Sequence, residues 1–203
     1  MSLERADVLR WLRDKLFVTT RFMFPKSIRQ RMTAAVIKNL PSRRYMLEVL
    51  VPAVAAAGCK RMLFVGTALY NAHFYTVCAA EGIEVWSLDF DPATAKYPAP
   101  QGHFVGDIRQ VHTLVGGRTF DVIIFNGILG YGVNNRADAE AAVIAMSKVA
   151  EPGAYLMVGW NPGATSEEDM AAVRTHLRRG SLAHAPQDIV FPKRGRIQKY
   201  PHR

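Results

Sequence analysis

Apolar runs and polar breaks alternate along most of the chain from Lys60 onward. Met62-Leu63-Phe64-Val65 is a continuous β-prone run that breaks at Gly66-Thr67-Ala68, before an alanine-containing helical segment from Tyr70 to Glu81. The pattern predicts a strand over 62–66, a tight turn and a helix over 70–81. A second strand is expected over 84–89, ending in Asp89-Phe90-Asp91-Pro92, where the proline stops the element. A Pro-rich link over 92–100, a short strand over 103–106 and a brief helix over 108–115 follow. Beyond Gly116-Gly117 come a strand over 120–126, a Gly-rich loop over 127–135, a helix over 137–150 and a strand over 154–159. Strands alternating with helices argue for an α/β fold, doubly wound around a mainly parallel sheet that is covered on both faces.

The segment before Lys60 has another periodicity. Leu9, Leu12 and Leu16, with Val8 and Trp11 beside them, mark one helix face, and Arg5, Arg10, Arg13 and Lys15 take much of the rest. Pro25 interrupts. Ser27 offers an N-cap for a second stripe of Ile28, Met32, Ala35 and Val36, flanked by Arg29, Arg31 and Lys38. A third helix is expected over 43–57, where Pro52 should kink it or mark its start. The expected organisation is a basic helical extension over 1–57 and a Rossmann-like domain over 58–203. After Asn161-Pro162-Gly163, Ser166 followed by Glu167, Glu168 and Asp169 suits a helix start, and the tail over 188–200 is expected to form a short hairpin or a disordered basic end.

At 203 residues and 49% hydrophobic, the chain can bury the core of one α/β domain with a modest extension. No apolar run approaches the roughly 18 residues needed to span a bilayer. The expectation is a soluble, cytoplasmic protein, with peripheral membrane association left open. Cys59 and Cys78 lack metal-ligand spacing, so they read as small buried hydrophobes and no metal site is expected.

The formal net charge of +9 is unevenly placed. Residues 1–44 hold eleven Lys or Arg against three acids, 45–173 hold seven against thirteen, and 174–203 hold eight against one. Basic ends flank an acidic middle. That distribution points to an anionic partner near the termini, whether an acceptor substrate, RNA or an anionic membrane surface, or to a plain solvated cationic surface. A homo-oligomer is left open.

Two acids carry the candidate chemistry. Asp89 stands at the carboxyl edge of the second strand, and Asp107 follows the third in His103-Phe104-Val105-Gly106-Asp107-Ile108. In open α/β sheets, ligands bind outside the carboxyl ends of strands where strand order reverses. Either acid could instead cap its own loop. A dinucleotide would require the Gly-x-Gly-x-x-Gly turn, whose positions here are Gly66, Ala68 and Asn71.

Over residues 60–162 these elements resemble the class I S-adenosylmethionine-dependent methyltransferases. Phe64-Val65-Gly66-Thr67-Ala68-Leu69-Tyr70 corresponds to the family's first motif, with only the first glycine kept and Phe64 where the family has an acid. Val85 to Pro92 is similar to the second-strand pattern, and Phe120 to Asn126 and Glu151-Pro152-Gly153 resemble the fourth strand and the turn into the fifth. The resemblance implies an enzyme that binds S-adenosylmethionine through Gly66, Thr67, Ala68, Asp89, Phe90, Asp107, Ile108, Asn126 and Gly127. Asp89 would take the ribose hydroxyls and Asp107 the adenine amino group. It also implies an acceptor pocket at the loop after the fourth strand, with Tyr131 and Asn134. A hydroxyl acceptor would need a base, for which His73 and His103 are the candidates, although each also reads as a solvated or satisfied histidine. Three functions remain open: methylation, with oxygen as the expected atom, of a small, glycan or lipid-linked anionic acceptor; RNA methylation; and a catalytically inactive binding or scaffold role on the same fold.

Overall fold

A computed structural model describes residues 28, 37, 39–160, 165–166, 170–171, 173–174, 189–190 and 198–199. Of the two basic helices expected before residue 39, only Ile28 and Ile37, both helical, lie among the described residues. Two compact units divide the chain, Met1–Ala53 with Ser181–Arg203 and Val54–Gly180.

Helix α1 (Pro41–Tyr45) and a π-helical turn, Met46–Leu50, belong to the first unit, and helix α2, which begins at Val51 and runs to Ala56, spans the division between the units. Proline 52 has no N–H for the carbonyl four residues earlier, and its ring crowds that carbonyl. The wider π turn directly before it absorbs the misfit, so Pro52 sits inside the helical stretch and does not start it. Of the tail, Ile189–Val190 (β6) and Gln198–Lys199 (β7) pair antiparallel, Ile189 opposite Lys199, as the hairpin reading expected.

The second unit is built on five strands: β1 (Arg61–Val65), β2 (Glu84–Asp89), β3 (Gly102–Val105), β4 (Phe120–Asn126) and β5 (Ala150–Gly159). All neighbours pair parallel in the order β3-β2-β1-β4-β5. The expected doubly wound arrangement is therefore present. The chain builds outward from β1 to β3, then returns to lay β4 on the other side of β1. The switch point is between the carboxyl ends of β1 and β4.

Side-chain alternation sends β1 into both faces. Leu63 and Val65 join Ile123, Phe125, Val111, Val143 and Met146 in one core. Phe64 faces the other way, its ring 5.0 Å from Phe74 and 5.8 Å edge-on from Tyr75. Met62 to Val65 are all 2% exposed or less, which is why the run is apolar throughout and does not alternate. Both cysteines are buried, as expected.

Around the strands stand α3 (Ala72–Ala80), the short α4 (Val111–Leu114) and α5 (Arg136–Ser147). Three one-turn 3₁₀ segments, Leu69–Asn71, Pro92–Lys96 and Ile108–Gln110, refine the expected helix starts and the Pro-rich link. Helix α5 stops three residues short of the expected end because the chain beyond it is drawn into the sheet, where Phe120 N–H donates to the Val149 carbonyl and Ala150 lies opposite Phe120. Strand β5 accordingly starts earlier than expected, with a register irregularity opposite Phe120 to Val122. Among the described residues, no helix is long and apolar enough to cross a membrane.

Candidate cofactor site

The turn that leaves β1 is held from below and from the side. Gly66 adopts φ +86°, and its N–H donates to the Leu88 carbonyl at 2.8 Å. A β-carbon on Gly66 would stand 2.7 Å from Ile128 Cδ1, so the position is left-handed and crowded at once. Thr67 is buried, and its hydroxyl meets the Tyr75 hydroxyl at 2.6 Å. The Thr67 N–H donates to Asp89 Oδ2 at 2.7 Å, and the Ala68 N–H donates to Asn71 Oδ1 at 3.1 Å.

Asp89, the last residue of β2, is thereby fixed beside the turn after β1, one strand from the switch point. Its other oxygen, Oδ1, accepts the Asp91 N–H at 3.0 Å. A carboxylate offers about four lone-pair sites. These two bonds leave room for two more donors, which is what a vicinal diol supplies. Beside it, Phe90 is 64% exposed, so its ring offers a face to a flat ligand.

The loop after β4 approaches both places. Gly127 turns at φ +73° and donates to the Gly159 carbonyl at 2.9 Å, while Asn126 ends β4 with its side chain close over Gly159. Ile128 covers Gly66, and Gly132 runs alongside the Phe90 ring, which would be 3.5 Å from a β-carbon there. The loop is anchored by Leu129 and Val133, both buried. Tyr131 stands exposed at its tip, and Asn134 Oδ1 accepts the Gly132 N–H at 3.1 Å. Gly127, Gly130 and Gly132 all take positive φ, which accounts for the glycines of this loop.

The structure thus brings Gly66, Thr67, Asp89, Phe90 and the loop over 127–134 together across the switch point. Three other expected residues are engaged within the fold. Asp107 accepts the Arg109 N–H at 2.8 Å and the Arg109 Nε at 2.9 Å and 3.0 Å, and its Oδ2 also takes Nη2. The side-chain bond to Arg109 holds the Asp107 carboxyl below the usual carboxylate range. The same guanidinium pairs with Asp138 in the first turn of α5. Ile108 is 5% exposed and belongs to the core, so its side chain supports the site from behind.

His103 meets the buried Ser87 hydroxyl through Nδ1 at 2.9 Å and the Thr94 hydroxyl through Nε2 at 3.4 Å. Burial lowers its pKa, with Asp89 pulling the other way. This geometry is that of a satisfied histidine tying β3 to β2 and the link between them. His73 is exposed in the first turn of α3.

Four residues of the site escape a reading of pattern alone. Asn71 closes the turn, Tyr75 reaches it from one turn into α3, Ile128 fills the space over Gly66, and Arg109 takes Asp107. The spacing from Asp107 to Arg109 is a local signal, since an arginine two residues on can fold back onto the carboxylate. The Tyr75 and Ile128 contacts depend on how α3 and the loop lie over the turn, and no spacing encodes that.

The site can recognise a diol and a flat ring. It is ill-suited to a pyrophosphate, because the Thr67 and Ala68 amides that would cradle one are already spent on Asp89 and Asn71.

Neither a protein-family model nor a curated protein matches the chain. Solved structures similar to it include DesVI from Streptomyces venezuelae, with 18% identity over 67% of this chain and 60% of that one, at a TM-score of 0.46. Another is CalS10 with S-adenosylmethionine bound, an amino pentose methyltransferase from Micromonospora echinaspora, with 24% identity over 65% of this chain and 57% of that one, at 0.49. A third is the sugar N-methyltransferase KedS8 from Streptoalloteichus, with 21% identity over 59% and 48%, at 0.44. The chain spans less than two thirds of the length of each. Likeness at this level is no guide to chemistry.

Proposed function

We propose that the protein is an S-adenosylmethionine-dependent methyltransferase, with the cofactor's adenosine held at the carboxyl ends of β1 and β2. The observation that carries this reading is Asp89, set at the carboxyl end of β2 by two backbone amides with acceptor capacity to spare, beside the exposed Phe90 face. Asp89 takes the ribose hydroxyls and Phe90 lies against the adenine. Asp107 is taken up by Arg109, so it meets the adenine amino group only by giving up part of that pairing. At the methionine end, the acid found in the resembling family is replaced by Phe64, which is buried among aromatic rings, so that end relies on other groups.

When bound, the cofactor supplies an electrophilic methyl group on a sulfonium. The protein's own work is then alignment and exclusion of water. Gly66 and Ile128 shape the floor under the cofactor, and the loop over 127–134 brings Tyr131 to the side from which an acceptor would come. We read the acceptor as anionic or carried on an anionic scaffold, methylated on oxygen, on the strength of the basic ends of the chain.

Transfer of a labelled methyl group from S-adenosylmethionine tests this. The acceptor panel should hold anionic glycans, lipid-linked sugars, RNA and neutral amino sugars. Labelled product that disappears in Asp89→Ala supports the transferase reading. Product formed only on neutral or amine acceptors would overturn the anionic assignment, and product on none of them would overturn oxygen methylation of this class.

A further inference from the structure

We propose that Tyr75 is a positioning residue for the cofactor site, acting through Thr67 to hold Asp89 in the geometry that meets the ligand's diol. The inference rests on the cofactor reading above and adds a residue that neither the motifs nor the resemblance assigns.

Tyr75 lies in α3 and is 3% exposed, so its phenol must find a partner inside the protein. It meets the Thr67 hydroxyl at 2.6 Å, itself buried, with the Ser87 hydroxyl also beside it. The ring cannot swing away, because Phe64 lies edge-on at 5.8 Å and Phe74 at 6.3 Å. The hydroxyl is therefore aimed by packing. Thr67, pinned at its side chain, presents its N–H to Asp89 Oδ2 at 2.7 Å. Aromatic seat, phenol, threonine, amide and carboxylate form one chain of contacts from the far face of the sheet to the ligand edge.

Phe64 gives the arrangement its logic. At this position the resembling family carries an acid, and a carboxylate would not seat two aromatic rings. With the acid gone and only one motif glycine kept, the turn needs another restraint, and the phenol supplies it. Burial pushes the Tyr75 pKa up to about 12, with the Thr67 and Ser87 hydroxyls drawing it down, so the phenol keeps its proton throughout the neutral range.

The test uses Tyr75→Phe, Thr67→Val, their double variant and Thr67→Ser, with two readouts. The first is amide hydrogen exchange in the ligand-free protein. Tyr75→Phe should speed exchange of the Thr67 amide by about tenfold while leaving the amide of Leu63 unchanged, since one hydrogen bond of ordinary strength is lost. The second is calorimetric titration with S-adenosylhomocysteine. Each of Tyr75→Phe and Thr67→Val should weaken binding by about tenfold, the double variant should be no weaker than the worse single, and Thr67→Ser should bind like the parent. Additive losses would mark two independent structural effects and overturn the inference, as would an unchanged Thr67 exchange rate. Failure of the parent protein to bind would instead overturn the cofactor reading, because the exchange arm needs no ligand.

Discussion

Asp89 carries two structural hydrogen bonds before any ligand arrives, one from the Thr67 N–H and one from the Asp91 N–H. Its identity is legible in the chain, since an acid closing an apolar run just before a proline stands at a strand's carboxyl edge. Its partners are not, because they come from a turn 22 residues earlier and from its own continuation. The sequence posed loop cap and ligand contact as alternatives, and the geometry is compatible with both at one residue. His103 shows the reverse. As a candidate base it is a histidine at the right edge, but its ring nitrogens face the Ser87 and Thr94 hydroxyls, and burial depresses its pKa while Asp89 opposes the shift. The native state therefore binds fewer protons here than the unfolded chain, whose histidine titrates near about 6.5. Stability from this residue is present above that value and is lost as pH falls through the window below it. We predict that urea unfolding between pH 7.5 and pH 5.5 shows a smaller loss of stability in His103→Gln than in the parent. An identical loss in both would mean that His103 is not held neutral by the fold.

Among the elements, the strands are the easiest to read, because β1 and β4 are covered on both faces and carry the unbroken apolar runs Met62–Val65 and Val122–Phe125. Boundaries moved where a neighbouring element claimed backbone groups. Helix α5 gave up its expected last turn to the start of β5, and the helix before β1 took a π turn in front of Pro52. The loop after β4 is legible as Gly-rich. What could not be read was that Ile128 turns back over Gly66. That contact makes a sharp prediction. Gly66→Ala should cost about 2–4 kcal/mol, combining a left-handed φ with overpacking against Ile128. Gly127→Ala, with open space around a φ of +73°, should cost only about 1–2 kcal/mol. In an Ile128→Ala background the Gly66→Ala penalty should shrink by about 1–2 kcal/mol, because the clash is gone and the dihedral cost remains. Denaturant unfolding of the set measures all three. An unchanged penalty in that background would show that Ile128 does not set the floor of the site.

For the molecule as a whole, the alternation of elements implies a parallel sheet but not the side on which β4 lands. That choice creates the switch point, and it is the return crossing after β3 that brings Gly66, Asp89 and the loop over 127–134 to one edge. The charge distribution is legible at this scale too, with basic ends around an acidic middle. The acceptor is not, since nothing in a strand pattern encodes it. The central claim is that this edge holds the adenosine of S-adenosylmethionine through Asp89. It is tested most directly by calorimetric titration of the full chain with S-adenosylhomocysteine, alongside Asp89→Ala and with NAD as a control. The account predicts binding by the parent, none of NAD, and a loss of about 100-fold or more in Asp89→Ala, because two hydrogen bonds to a charged group disappear. A folded parent that binds no S-adenosylhomocysteine, or an Asp89→Ala variant that binds it equally well, would contradict the account.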